Sequence, residues 1–183
     1  MNIEEINSLL TDAELLAAQT EVEAAIGRMA EEITAELKEA DPILICVMNG
    51  GLIFSGQLLT RLPFPLEVDY IHATRYGHET SGSGLNWIIK PQLELKGRTV
   101  LLLDDILDEG VTLAAIADYC GQQGAARVLM AVLVEKLHLR KVTPGMRADF
   151  SGIEIGDRFL FGYGLDYKGY WRNAPGIYAV KGL

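Results

Sequence analysis

Basic residues are scarce: 16 Lys and Arg stand against 25 Asp and Glu, a formal charge of −9 over 183 residues. That balance excludes a general nucleic-acid surface, because phosphate contact needs a basic footprint. Cysteine is nearly absent, and Cys46 and Cys120 sit in apolar stretches without metal-ligand spacing. This excludes a disulfide framework and a zinc knuckle, and predicts a cytoplasmic protein. No apolar run approaches the roughly 18 residues of a membrane span; the longest, near 42–47 and 128–134, fit buried strands. Met1-Asn2-Ile3-Glu4-Glu5 carries no basic segment followed by an apolar one, so no export leader is expected. His72, His78 and His138 are too dispersed for a zinc pattern.

What is present is an ordinary globular mixture, 49% hydrophobic and 22% charged, enough for one domain with a sizeable core. Thr11 and Glu14 have capping-box spacing. Apolar residues then recur at helical spacing from Leu15 to Leu37, so the first forty residues read as helix, ended by Asp41-Pro42. Ile43–Val47, Leu66–Ile71, Trp87–Ile89, Thr99–Leu103 and Val128–Val134 read as strands. Helices are expected over Leu52–Leu62 and from Thr112 to about Gln123. The Gly- and Ser-rich stretch from Arg75 to Asn86 reads as a loop. Strand–helix–strand order implies an α/β fold with a mostly parallel central sheet flanked by helices. The single domain spans 1–183, with a core over roughly 40–150. A small hood is expected from the N-terminal segment and roughly 151–183.

The chemistry concentrates in Val100–Leu113. A buried strand delivers Asp104 and Asp105 to the sheet's carboxyl edge, where ligands of parallel sheets collect. Asp108, Glu109, Gly110 and Thr112 follow, and then a helix begins. Backbone N–H groups there can take an anion, and the carboxylates can accept paired sugar hydroxyls or hold a divalent cation. An isolated Asp-Asp would be read as a solvated strand end. The complete pattern suits a sugar phosphate.

This segment resembles the phosphoribosyl diphosphate (PRPP) signature of type I phosphoribosyltransferases, and roughly Ile33–Val180 is similar to the hypoxanthine-guanine members of that family. Ile45–Gly51 resembles the family's pyrophosphate loop, with a cis peptide expected at Met48–Asn49. Val132–Lys136 resembles the strand ending in a purine-reading lysine, with 28 residues from Asp108 to Lys136. Asp149–Ile155 and Phe159–Tyr167 through Arg172 resemble the C-terminal purine block.

The resemblance implies transfer of the phosphoribosyl group from PRPP to hypoxanthine or guanine, giving IMP or GMP and pyrophosphate. Asp104 and Asp105 would hold the ribose hydroxyls, directly or through Mg²⁺, and Asp108 would be the acid–base group at purine N7. Asp108, Glu109, Gly110, Val111 and Thr112 would wrap the 5′-phosphate. Asn49, Gly50 and Arg172 would face pyrophosphate, and Arg75-Tyr76 falls where the family has a closing loop. Lys136, Phe159, Leu160 and Asp166 would bind the purine, with Asp166 also on the metal beside Asp104 and Asp105. A homodimer or homotetramer is implied.

Three positions depart from the family pattern. Asn49 stands where Lys or Arg is frequent, Glu109 replaces Thr or Ser, and Arg75 replaces a small hydroxyl residue. Two other readings compete: a xanthine-preferring transferase, and a non-catalytic nucleotide or PRPP sensor on the same fold. A Rossmann dinucleotide binder is weaker, since no G-x-G-x-x-G follows a strand.

Overall fold

A computed structural model describes residues 2–75 and 85–182. The elements are α1 (Ile3–Asp12), β1 (Glu14–Ala18), α2 (Gln19–Leu37), β2 (Ile43–Met48), α3 (Gly51–Leu59), β3 (Glu67–Arg75) and β4 (Leu85–Ile89). β5 (Thr99–Leu107), α4 (Val111–Gln122), β6 (Arg127–Leu137), β7 (Phe150–Gly156), β8 (Leu160–Phe161) and β9 (Gly176–Ala179) complete the chain. Six strands form the main sheet in the order β4-β3-β2-β5-β6-β7. All neighbours are parallel except the β3–β4 pair at one edge.

The central strands are apolar on both faces because both are covered. Leu101 and Leu103 of β5 face the core formed with α2 and α3, which includes Ile26, Ile33 and Phe54. Val100 and Leu102 point the other way, into a core shared with Leu113, Ile116 and Cys120 of α4. Period-two alternation in one continuous run thus serves two helical layers.

The N-terminal expectation needs correction. The single helix is interrupted by β1, which pairs antiparallel with β9. Local propensity in Glu-Leu-Leu-Ala-Ala favours helix, but a strand partner about 160 residues downstream overrides it. The caps move accordingly. Asn2 and Glu5 form the capping box of α1, at 2.8 and 2.9 Å, and Glu21 accepts from the Ala18 N–H at 2.8 Å as α2 begins.

β1, β9 and β8 form a separate three-stranded sheet, the hood. β7 pairs in parallel with β6 and closes the far edge of the main sheet. Trp171 ties α1 to the hood by donating its indole N–H to the Ile6 carbonyl at 2.6 Å. No helix among the described residues is long and apolar enough to cross a membrane.

Candidate active site

A cavity of about 490 Å³ opens at the carboxyl ends of β2, β5 and β6, beneath the hood. β5 continues to Leu107, four residues beyond the expected Leu103, so Asp104 and Asp105 lie within the strand rather than beyond it. Both carboxylates are nearly buried. Asp104 Oδ1 accepts from the Asp105 N–H at 2.9 Å. Burial, followed by the neighbouring Asp105 charge, pushes the Asp104 carboxyl well above the usual range. Burial also raises Asp105, opposed by a hydrogen bond with Asp104 and by Arg172, whose Nη1 is 3.7 Å from Asp105 Oδ2.

The loop Asn49-Gly50 crosses directly over this pair, and the Met48–Asn49 peptide is cis. A Cβ on Gly50 would sit 2.2 Å from Asp105 Oδ2, so only glycine admits the carboxylate. Gly164, at φ +112°, closes the same contact from the hood: its Cβ would lie 2.3 Å from the Gly50 carbonyl oxygen. The Arg172 carbonyl accepts from the Gly164 N–H at 2.9 Å. Arg172 returns a guanidinium bond to the Gly164 carbonyl and pairs with Asp166 at 2.5 Å. This glycine–arginine clasp brings residues 164–172 against the strand-borne acids.

Beyond β5, Gly110 adopts φ +82° and starts α4. The first-turn N–H groups of α4 have no acceptor within the helix and form the anion-ready end. The segment after β6 fixes the loop from behind. Lys141 Nζ donates to the Leu107 carbonyl at 2.9 Å, and the Val142 N–H donates to the Glu109 carbonyl at 2.7 Å. A Cβ on Gly110 would meet Met146 Sδ at 2.5 Å.

Lys136, at the end of β6, is buried, and its Nζ donates to Asp108 Oδ2 at 3.0 Å. The other Asp108 oxygen is bonded to His138 Nε2 at 2.6 Å. Burial pushes the Asp108 carboxyl up, but the His138 and Lys136 bonds outweigh it and hold the group below its ordinary value. Asp157 lies 3.8 Å from Lys136 and is held down to about 2 by its hydrogen bonds with Arg140. Phe159 leaves an exposed ring at the cavity rim, set edge-to-face against Tyr167 with centroids 5.4 Å apart.

Most expected residues therefore converge. Asn49, Gly50, Asp104, Asp105 and Asp108 line the cavity, as do Gly110 and Thr112 at the α4 start. Lys136, Phe159, Leu160, Asp166 and Arg172 line its other wall. The Glu109 and Val111 side chains are not part of the lining. Arg75 ends β3, and Tyr76 lies outside the described residues. His72 also lines the cavity, opposite Met48 in the β2–β3 register. His138 was not among the expected site residues. It lies one residue past the end of β6 and two after Lys136, and that closeness in sequence to Lys136 was the available signal.

Among the described residues, one group of three side chains brings ligand atoms within 4.8 Å: Asp108, His138 and Asp157. Lys136 and Arg140 already pair with its carboxylates, so an ion there would displace two cations. The trio Asp104, Asp105 and Asp166 is not gathered this way, because Arg172 lies between Asp105 and Asp166. Still, the cavity lining carries four carboxylates, Asp104, Asp105, Asp108 and Asp166, against two basic side chains, Lys136 and Arg172, that already pair with them. A polyanion entering an acidic wall needs a cation with it, which fits a divalent ion carried on oxygen ligands.

Its position at the carboxyl ends of parallel strands places this cavity among α/β proteins that handle phosphorylated ligands. Comparison with known proteins narrows the class: the family model for a phosphoribosyl transferase domain matches residues 12–168. The chain belongs to that phosphoribosyltransferase family. It is 33% identical, over 91% of its length and 92% of the relative's, to a hypoxanthine-guanine phosphoribosyltransferase of Bacillus subtilis. A hypoxanthine-guanine-xanthine phosphoribosyltransferase of Tritrichomonas foetus is 29% identical, covering 91% of both chains. Among solved structures, hypoxanthine phosphoribosyltransferase from Trypanosoma cruzi, in complex with the product IMP, superposes with a TM-score of 0.86 at 25% identity. That match covers 93% of this chain and 96% of the other.

Proposed function

We propose that this protein is a purine-salvage enzyme that transfers the 5-phosphoribosyl group of PRPP to hypoxanthine or guanine. One observation carries the reading: the Asp104–Asp105 pair and the α4 start share a cavity with Lys136 and the exposed Phe159 ring. One half of that cavity suits a sugar phosphate and the other a flat oxopurine.

The bond from ribose C1 to pyrophosphate breaks as a bond to a purine nitrogen forms, and the base gives up a proton. Asp104 and Asp105 accept from the ribose hydroxyls and position C1. The 5′-phosphate rests on the backbone N–H groups of Glu109, Gly110, Val111 and Thr112, with the Thr112 hydroxyl as an added donor and Asp108 at the loop's start. Asp108 accepts the proton at N7. Lys136 donates to the 6-oxo group; adenine would present a donor to that donor. Phe159 stacks on the base, the Leu160 backbone and Asp166 read its edge, and Asn49, Gly50 and Arg172 receive the pyrophosphate. Asp104, Asp105 and Asp166 would hold Mg²⁺, which neutralises charge on the leaving pyrophosphate. Arg75 and Tyr76 are proposed as part of a closing loop that excludes water.

Purified protein with Mg²⁺ and PRPP, assayed against four bases, tests this. Hypoxanthine and guanine should turn over, and adenine should not. A Lys136→Gln variant should narrow the oxopurine-to-adenine ratio by at least about 10-fold, the scale of one hydrogen bond to a charged donor. No turnover with any base would favour a PRPP sensor. Xanthine also carries the 6-oxo group and is accepted by the Tritrichomonas relative's namesake activity, so faster turnover of xanthine would reassign the preferred base.

Two buried, unpaired cysteines suit a reducing, cytoplasmic setting. A homodimer or homotetramer completes the proposal, with exposed Val68, Tyr70 and Ile88 offering apolar surface for self-contact. Sedimentation equilibrium should give a multiple of the 20.1 kDa chain mass; a monomer at working concentration would remove this part.

A further inference from the structure

We propose that His138 is a positioning residue for Asp108, its imidazole fixed in one tautomer by a main-chain amide so that it aims the Asp108 carboxylate at the purine. This rests on the reading of Asp108 as the group at N7.

The His138 side chain is 5% exposed and stands behind Asp108, outside the cavity lining. The Arg140 N–H donates to His138 Nδ1 at 3.1 Å, so Nδ1 presents a lone pair and the ring proton sits on Nε2. Nε2 then donates to Asp108 Oδ1 at 2.6 Å. Tautomer and direction follow from the network: a backbone amide can only donate, and a carboxylate can only accept.

Asp108 needs such a holder. It lies past the last residue of β5, where no sheet ladder fixes the chain. Its other partner, Lys136, has a second task, since its ammonium must reach the base's 6-oxo group. When Lys136 turns to substrate, His138 keeps one carboxylate oxygen in place. The residue follows directly on β6, so its position is inherited from the sheet. A hydrogen-bond donor on the carboxylate favours the ionised form, which is the form able to take a proton. The other charges around Asp108 are Lys136 from β6, Asp157 from the turn after β7, and Glu109, Arg140 and Lys141 from the flanking loops.

The test compares His138→Leu with His138→Gln, whose amide can replace the Nε2–H donor. The pH profile of kcat/KM for hypoxanthine is read at saturating PRPP. In His138→Leu the acid limb should move up by roughly half to one pH unit, as expected for one lost hydrogen bond. kcat/KM should fall about 10-fold, with the KM for PRPP within about 2-fold. His138→Gln should restore the limb and most of the rate. A limb that stays in place in His138→Leu, or the same displacement in both variants, overturns the proposal. A second measurement needs no variant and no turnover: ¹⁵N NMR of the histidine rings in the wild-type protein should show His138 as the Nε2–H tautomer. An Nδ1–H tautomer overturns the assignment. If the wild type turns over no oxopurine, the functional reading falls, while the NMR still decides whether His138 donates to Asp108.

Discussion

Replacing Asp104 and Asp105 together by asparagine should weaken PRPP binding sharply and raise the melting temperature of the ligand-free protein. Both effects come from the same burial. The two carboxylates line the floor of the cavity on β5, nearly buried under Gly50 and near the Arg172 guanidinium. Burial raises both carboxyls above their ordinary range. A group whose folded pKa is raised favours the fold at low pH, where it is protonated. That contribution is lost as pH rises through the folded value. At neutral pH the pair therefore costs stability, and neutral amides of the same shape remove the cost. The cost should shrink as pH falls towards the unfolded carboxyl pKa, about 3.9, so the gain in melting temperature should shrink with it. The same amides cannot match two charge-assisted bonds to ribose hydroxyls, each worth about 1.5–3 kcal/mol. PRPP affinity should fall by at least about 100-fold. Calorimetric titration with PRPP and Mg²⁺, beside thermal melts at several pH values, checks both. Unchanged affinity would remove the sugar assignment. A lower melting temperature would make the pair structural.

The Asp104–Leu113 motif was legible because its parts are contiguous: a buried strand, its acids and a glycine-started helix all fall within one short stretch. The separation of Asp108 from Lys136 was legible for a related reason. β5 and β6 are adjacent and parallel, in a register that pairs Leu107 with Glu135 and carries the two residues side by side. What the sequence concealed depends on distant chain. Glu14–Ala18 is a strand only because β9 returns to pair with it. The clasp of Gly164 on Gly50 joins segments more than a hundred residues apart, and neither glycine announces the other. Arg172 was expected at the pyrophosphate, but its bonds to Asp166 and the Gly164 carbonyl emerge only from a loop built on left-handed residues, including Tyr163, Lys168 and Trp171. His138 was set aside because isolated histidines were judged as metal ligands. Its place directly after β6, two residues from Lys136, was the more informative pattern.

Asp108→Asn should lower kcat by about 10²–10³-fold, the scale of lost acid–base help, while leaving the KM for PRPP within a few-fold. The native carboxylate accepts from two donors, Lys136 Nζ at 3.0 Å and His138 Nε2 at 2.6 Å. An asparagine has one acceptor oxygen, so its amide group would face one of those donors with another donor. It also could not take a proton from N7. The stability effect should carry the opposite sign to that of Asp104 and Asp105. Burial pushes Asp108 up, yet its two partners bring it below the ordinary carboxyl value. Such a group stabilises the fold above the unfolded pKa, and the contribution is lost as pH falls through the lower folded value. Asp108→Asn should therefore melt earlier than the wild type at neutral pH and converge with it in acid. The nearly buried Lys136 would be left with Asp157, 3.8 Å away. Two acidic positions three residues apart would then respond oppositely: the ribose pair strains the empty fold, whereas Asp108 is held by it. If kcat survives the substitution while the neutral-pH melting temperature drops, Asp108 is a structural partner of Lys136 and His138, and the proton at N7 leaves by another route.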